Sequence, residues 1–382
     1  MRLSKLLTLL CCVVACGMSL AADRTWEYEI GAHTGYDSNP LKLPEDEKSG
    51  GFLEAEFEGE LEVELSKRND FYLDLGADAR RYGSSVSDAD TTAAQAEAGF
   101  KLVPYKNGSR WLVLDLGTRL RVSRDTFTSR RTGEVFEVDD GAGGDVRIPD
   151  RFDYNRVEGF ADVRWRLSSR TWLYLDTAFA QKNYTEDYDE IPTVESLDYD
   201  SLYFEAGTSV DLTDAVEIEL SAFRNDRDYD ERSALDEVGD EVLGTTREYR
   251  YTGFDGKLRL RPEAAWRWTL GLGTTDREDL HAGYYDYTSW TARVATSGGI
   301  GAKTRLYLST AFTDKDYDNS TVNSEVDGEL RSSETWRLRG VLTRQITRRF
   351  DVKLQTELRS VDNANPLYDY DRNSFGVWVA YH

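Results

Sequence analysis

Hydrophobic and polar residues alternate along most of this chain, in sixteen stretches of about 12 to 15 residues that run from Thr25–Tyr36 to Tyr370–His382. The plainest is Phe52–Leu65. Leu53, Ala55, Phe57, Gly59, Leu61, Val63 and Leu65 fall on one side of it, and Glu54, Glu56, Glu58, Glu60, Glu62 and Glu64 on the other. A helix would smear both sets around its cylinder, so this period of two predicts a strand. The same parity sets Val216, Ile218, Leu220 and Ala222 against Glu217 and Glu219, and Leu306, Leu308, Thr310 and Phe312 against Arg305, Tyr307 and Lys315. Phe350, Val352, Leu354 and Leu358 oppose Asp351, Lys353, Glu357 and Arg359 in turn.

The breaks between stretches alternate in length. Every second one is short, as at Ser66–Asn69, Leu212–Asp214 and Thr347–Arg348, while those between are long, Arg124–Arg151 the longest. That rhythm belongs to an up-and-down barrel with one rim in a confined compartment and the other outside. The expected fold class is all-β: a single antiparallel transmembrane β-barrel of about 16 strands, with short periplasmic turns and long acidic extracellular loops. A basic side chain at mid-bilayer costs about 2–4 kcal/mol and an acidic one somewhat less. In water, carboxylates two residues apart, about 7 Å, repel by only about 0.6 kcal/mol. The six glutamates are therefore expected to face a water-filled lumen.

Aromatic residues gather at the ends of the stretches. Phe71, Trp111, Trp172, Trp266 and Phe350 follow short breaks, and Tyr36, Tyr82, Tyr184, Tyr229, Tyr287 and Tyr317 stand at the opposite ends. They are expected to form two girdles at the two membrane interfaces. A weak repeat runs through the outer ends: Ala178-Phe179 leads to Lys182 and Tyr184, Ala222-Phe223 to Arg227 and Tyr229, and Ala311-Phe312 to Lys315 and Tyr317. It reads as repeated girdle architecture.

The leader and the charge sharpen this picture. Residues 1–21 read as a secretory signal peptide: Arg2 and Lys5, the apolar run Leu6–Ala15, then Ser19-Leu20-Ala21 before cleavage. Val13-Val14-Ala15-Cys16 keeps a lipoprotein leader open as the alternative. Cys11, Cys12 and Cys16 all lie there, so residues 22–382, the expected barrel domain, hold no thiol to mispair during export. No later segment approaches the roughly 18 apolar residues of a spanning helix. The net charge is −23, concentrated in the long breaks, whereas the short ones carry Lys67, Arg68, Lys106, Arg170 and Arg348 against Asp214 and Glu263. Such a balance repels phosphates and argues against a nucleic-acid partner. The acidic rim suits a cation-attracting mouth, carboxylates bridged by divalent ions to anionic lipid sugars, or simply solvated loops.

Candidate chemistry lies in the lumen. An acidic wall is expected from Glu54, Glu56, Glu58, Glu60, Glu62 and Glu64 with Asp74, joined by Glu27, Glu29 and Asp78. A basic wall is expected from Lys257, Arg259 and Arg261 on the tenth strand, opposite the second, with Arg164, Arg166, Arg337 and Arg339 and, further round, Arg119 and Arg121. Facing walls of opposite sign would set a transverse field that favours polar solutes; the alternative is that these charges pair and plug the interior. The stretch Arg124–Arg151, with Gly133, Gly141, Gly143, Gly144 and Pro149, is a candidate for folding inward as a constriction, or else an ordinary surface loop. His33, His281 and His382 are the only histidines and none sits beside a plausible serine nucleophile, so no catalytic residue, enzyme activity, cofactor or metal site is expected. Aspartates in segments 184–190 and 316–329 could take calcium, but no D-x-[DN]-x-[DN]-G loop is present.

Two short segments carry resemblances. Ser374, Gly376, Val379 and Tyr381, with His382 trailing, resemble the C-terminal signal read by the outer-membrane barrel assembly machinery. Gly35-Tyr36-Asp37-Ser38-Asn39-Pro40 resembles the opening of β-barrel porin families of Gram-negative bacteria, some of which accompany exopolysaccharide export. The barrels of surface lipoprotein assembly modifiers begin similarly, but a helical-repeat periplasmic domain is missing here, which counts against that role. The resemblance implies a multi-pass barrel in the cell outer membrane, with outer-membrane lipid and the assembly machinery as partners. The expected function is a porin-like channel for passive passage of polar or charged small solutes through a charged lumen. Export of a secreted exopolysaccharide and a non-conducting structural or adhesive barrel are the alternatives. Solute and oligomeric state stay open.

Overall fold

The computed structural model describes residues 23–382 except 46, 140–143, 185–190, 192–193, 262–265 and 323–327. The signal-peptide segment 1–21, Glu263, Gly141, Gly143 and most of segment 184–190 therefore lie outside the described residues.

Sixteen long strands follow one another along the chain: β1 (Asp23–Asp37), β2 (Gly50–Ser66), β3 (Asn69–Tyr82), β4 (Thr91–Asn107), β5 (Arg110–Asp125), β6 (Tyr154–Arg166), β7 (Thr171–Tyr184) and β8 (Tyr199–Thr213). The second half continues with β9 (Val216–Leu235), β10 (Glu241–Leu260), β11 (Trp266–Asp279), β12 (Tyr287–Gly301), β13 (Thr304–Thr321), β14 (Leu330–Gln345), β15 (Phe350–Asn363) and β16 (Tyr370–Tyr381). Each pairs antiparallel with its neighbours in sequence, and β1 closes the barrel on β16 from Ile30–Tyr381 to Asp37–Ser374. Closure leaves no exposed edge, the condition for a sheet in lipid. A short hairpin, Glu137–Asp139 with Asp145–Arg147, stands apart in the longest connection.

Several strands outrun the lengths expected from the alternation. β9 and β10 reach 20 residues each and β13 reaches 18. Their upper ends are polar (Asp226, Arg227, Asp228, Asp230, Glu231 in β9), so hydropathy fades there while backbone pairing persists above the membrane. Pro104, which has no N–H to give a ladder, sits where the β4–β5 register shifts between Leu102 and Tyr105.

The two sheet faces are told apart by reach. On one face, side chains two strands apart touch: the Tyr72 hydroxyl donates to Asp115 (2.9 Å), Lys353 Nζ to Glu29 (2.7 Å) and the Tyr82 hydroxyl to Asp37 (3.1 Å). Side chains converge like this only on the concave side of a closed sheet. The other face, convex, carries exposed apolar side chains such as Leu53, Ile30, Leu220, Phe254, Leu272 and Leu308.

At the long-loop end the connections pack on one another. Leu41, Leu43 and Val86 are buried together against Tyr82 and Ala89. Gly133, in the connection between β5 and β6, meets Leu41 and Leu43 so closely that a Cβ would lie 2.9 Å from Leu41, and its φ of 69° is one that L residues rarely adopt. From the same connection Arg130 lies over the rings of Tyr368 and Tyr370 (5.3 and 5.8 Å), beside β16. Lys48 Nζ donates to the carbonyl of Thr132 (3.0 Å). The longest loop thus reaches across part of the rim and forms a roof with the first and last loops. Burial, and then the guanidinium groups of Arg372 and Arg130, push the Lys42 ammonium below its ordinary pKa, a sign of how tightly the roof is packed.

Candidate functional site

Registers place the acidic residues unambiguously. Glu54, Glu56, Glu58, Glu60, Glu62 and Glu64 of β2 stand beside His33, Gly31, Glu29, Glu27, Thr25 and Asp23 of β1 and beside Arg80, Asp78, Gly76, Asp74, Tyr72 and Asp70 of β3, all on the concave face. Glu54 is neutralised, bonded to His33 Nδ1 (2.9 Å) and Arg80 (2.8 Å). Glu29 pairs with Lys353. Among the described residues Glu56, Glu58, Glu60, Glu62, Glu64 and Asp74 make no ion pair, so five glutamates and an aspartate share this wall without a basic partner.

The basic residues are also concave but not free. Lys257 pairs with Glu219 (2.9 Å), Arg259 with Glu217 and with Glu219 (2.6 Å), and Arg261 with Glu217, the two acids standing directly opposite on β9. The three residues expected as a basic wall on β10 thus have two carboxylates among them, the pairing that was the alternative to a facing wall. Across-strand neighbours on one face lie about 5 Å apart, close enough to pair wherever opposite charges share a register. Arg337 likewise pairs with Glu357 (2.6 Å). Arg166 stacks on Trp111 and Trp172 and donates to the carbonyls of Ser168 and Ser169. Arg164 faces Tyr174 on β7, and Arg339 lies beside Glu357 in register with its buried Nε unbonded. Further round, Arg119 bridges Glu97 (2.6 Å) and Glu158 (2.5 Å).

Most of the expected girdles are corrected as well. Tyr82, Tyr184, Tyr229, Tyr287 and Tyr317 share registers with concave residues, and so do Trp111 and Trp172, whereas Tyr36, Phe71, Trp266 and Phe350 keep the convex side. The convex face has other exposed aromatics instead, among them Trp26, Trp165, Trp268 and Trp336. In the last strand Gly376 is concave, where a Cβ would meet His33 Nε2 at 2.1 Å, and Val379 and Tyr381 are convex. The assembly-signal residues thus divide between the two faces.

Position at the strand ends concealed a ladder of tyrosines and cations on the concave side of β6–β13, near the long-loop rim. Lys182 lies over Tyr154 (3.8 Å) and Tyr184 (4.6 Å), and Arg227 over Tyr199 (4.4 Å) and Tyr251 (5.1 Å). Arg277 lies over Tyr249 (4.6 Å) and Tyr287 (4.4 Å), and Lys315 over Tyr287 (4.4 Å). Parity already carried the signal: Tyr317 has the parity of Lys315 and Tyr307, not of Leu308. Among the described residues no group of His, Cys, Asp or Glu is arranged to hold a metal, and no helix is long and apolar enough to cross a membrane.

No family model and no curated protein matches the chain. Among solved structures, OccAB1 of Acinetobacter baumannii superposes with a TM-score of 0.51 at 9% identity, over 95% of this chain and 97% of that one. Pseudomonas aeruginosa OprD follows at a TM-score of 0.47 and 10% identity, over 94% and 96%. The first likeness is one of fold. A closed sixteen-strand barrel with an exposed apolar convex face is a multi-pass β-barrel of the outer membrane.

Proposed function

We propose that this barrel is a porin-like channel for passive passage of polar or charged small solutes. The observation that carries the reading is the polar concave face, above all the unpaired row Glu56–Glu64 with Asp74. Barrels of this strand number leave an aqueous interior, and a row of like charge within it biases which ions enter. Because the cations of β10 pair with Glu217 and Glu219, selectivity rests on the acidic side rather than on a field between two walls.

The test is ion conductance of the purified barrel in planar bilayers, with reversal potentials in a salt gradient. Glu58→Lys inverts one charge in the middle of the acidic row and moves the reversal potential towards anion preference. A folded barrel that passes no current would sink the reading. The packed roof favours a second one, a non-conducting structural barrel; current that stays near zero after residues 128–148 are removed would select it. We infer also that Gly376, Val379 and Tyr381 present the last strand to the assembly machinery, since Val379 and Tyr381 lie on the convex side where a partner can reach them.

A further inference from the structure

The ladder of β6–β13 is not needed to explain a passive pore, and its chemistry is specific. Its four cations, Lys182, Arg227, Arg277 and Lys315, stand on β7, β9, β11 and β13, every second strand of one half of the barrel. Neighbouring strands lie about 4.8 Å apart, so the cations recur at roughly 10 Å around the wall. Each is only half-buried, and among the described residues none pairs with a carboxylate. Asp279, two places from Arg277 on the same strand, is taken up by the backbone N–H groups of His281 (3.3 Å) and Tyr285 (3.4 Å). Glu205 accepts from the Tyr203 hydroxyl. In the same concave wall Arg119 and Arg259 are met by acids, whereas these four are held by tyrosine rings.

Tyrosine faces hold these cations in place without cancelling their charge. The result is a row of pre-positioned positive groups, each flanked by phenol rings. Beside it lies a cavity of about 360 Å³ whose lining mixes Arg156, Tyr199, Asn225 and Arg227 with the carboxylates of Glu158, Asp162 and Asp176, a size that holds small ligands. Asn225 Oδ1 and Arg227 Nε are buried without a hydrogen-bond partner, one acceptor and one donor left over at the same place. The repeat Lys182…Tyr184, Arg227…Tyr229 and Lys315…Tyr317 writes the same pair into three strands.

We propose that this ladder is a binding track for an acidic oligosaccharide, a chain of sugars bearing carboxylates. Aromatic rings offer their faces and edges to the C–H side of a pyranose, tyrosine hydroxyls exchange hydrogen bonds with its hydroxyls, and regularly spaced cations meet carboxylates spaced along an extended chain. Two pyranose units span about the distance between successive cations, so acid groups on alternate sugars fall in register with the wall. A small monocarboxylate would use one rung only, and a neutral sugar would leave the cations unmet. This assignment rests on the channel reading for its route but not for its binding, and the experiment separates the two.

The full-length barrel is placed in planar bilayers, and hexagalacturonate, maltohexaose and monomeric galacturonate are added in turn. Direct binding of fluorescently labelled hexagalacturonate to the detergent-solubilised barrel is measured in parallel. The expected result is interruption of the current by hexagalacturonate at concentrations where the other two do nothing. Lys182→Gln with Arg227→Gln weakens its Kd by about tenfold or more, the loss of charge-assisted hydrogen bonds, and Arg277→Gln with Lys315→Gln does the same. Heat-modifiable mobility on gels checks that each variant is a folded barrel. Block by maltohexaose at equal concentration, block by the monomer at equal carboxylate concentration, or unchanged hexagalacturonate affinity in both folded variants would each overturn the proposal. Binding without current supports the track and sinks the channel; current without binding does the reverse.

Discussion

At the scale of single residues, the segment Tyr36-Asp37-Ser38-Asn39 shows how a short resemblance acquires a physical role. Asp37, fully buried, takes Arg372 in a forked pair (Nε at 2.9 and 3.1 Å, Nη2 at 2.5 Å) and accepts from the Tyr82 hydroxyl. Ser38 N–H donates to the carbonyl of Asn373, and Ser38 Oγ accepts from its N–H. Asn39, also buried, holds the backbone of Leu43 from both sides (2.8 and 2.9 Å) and reaches the carbonyl of Asp371. Asp37, Ser38 and Asn39 clasp the first strand to the last, where an up-and-down barrel must close between chain segments far apart in sequence. Asp37→Asn leaves the Arg372 guanidinium buried with its charge unmet, and is expected to cost about 3 kcal/mol. Equilibrium urea unfolding of the barrel in detergent measures it. Replacing Arg372 as well, Asp37→Asn with Arg372→Gln, should return part of that loss; a single variant as stable as the parent would show the clasp to be idle. The residue types were visible in the sequence, but their partners, some 335 positions away, were not.

At the scale of elements, strands and short turns were legible and loop packing was not. Period-two alternation within β2 fixes which side of the strand each glutamate takes, because a pleated backbone permits no other arrangement. The same parity, applied to β9 and β13, would have turned Tyr229 and Tyr317 inward; position at a strand end suggested a girdle and concealed the face. Loops carry no such period. The connection 126–153 is held by Leu41, Leu43 and Gly133 from one side and by Tyr368 and Tyr370 through Arg130 from the other, contacts that depend on closure of the barrel. Phe127 N–H donates to the carbonyl of Pro149 (2.7 Å), so the ends of this loop are adjacent and it can be shortened without stretching the wall. Removing residues 128–148 is expected to raise single-channel conductance. Gly133→Val should raise it less, by forcing a β-branched side chain into a left-handed backbone beside Leu41. Conductance unchanged in both would show that the roof does not limit flow.

At the scale of the whole molecule, electrostatics follow from how charges are shared between faces and neighbours. A net charge of −23 gives the sign of the long-range field but not its position. Cross-strand pairing spends many concave charges on one another, and among the described residues the glutamate row of β2 and the cation ladder of β7–β13 stand without opposite charges. If the unmatched glutamates set ion preference through a field, discrimination must weaken as the Debye length falls from about 10 Å at 0.1 M salt to about 3 Å at 1 M. Reversal potentials measured at both salt levels, with the gradient ratio held fixed, test this; preference that persists undiminished at 1 M would point to contact or size instead. Strand count and the division of β2 into an apolar and an acidic side could be read from the chain alone, since both are local consequences of backbone period and hydropathy. Which charges cancel, which tyrosines line the interior and what packs on the rim came only with the folded barrel. Those depend on register between strands and on closure of β1 onto β16, which bring together residues that no local pattern connects.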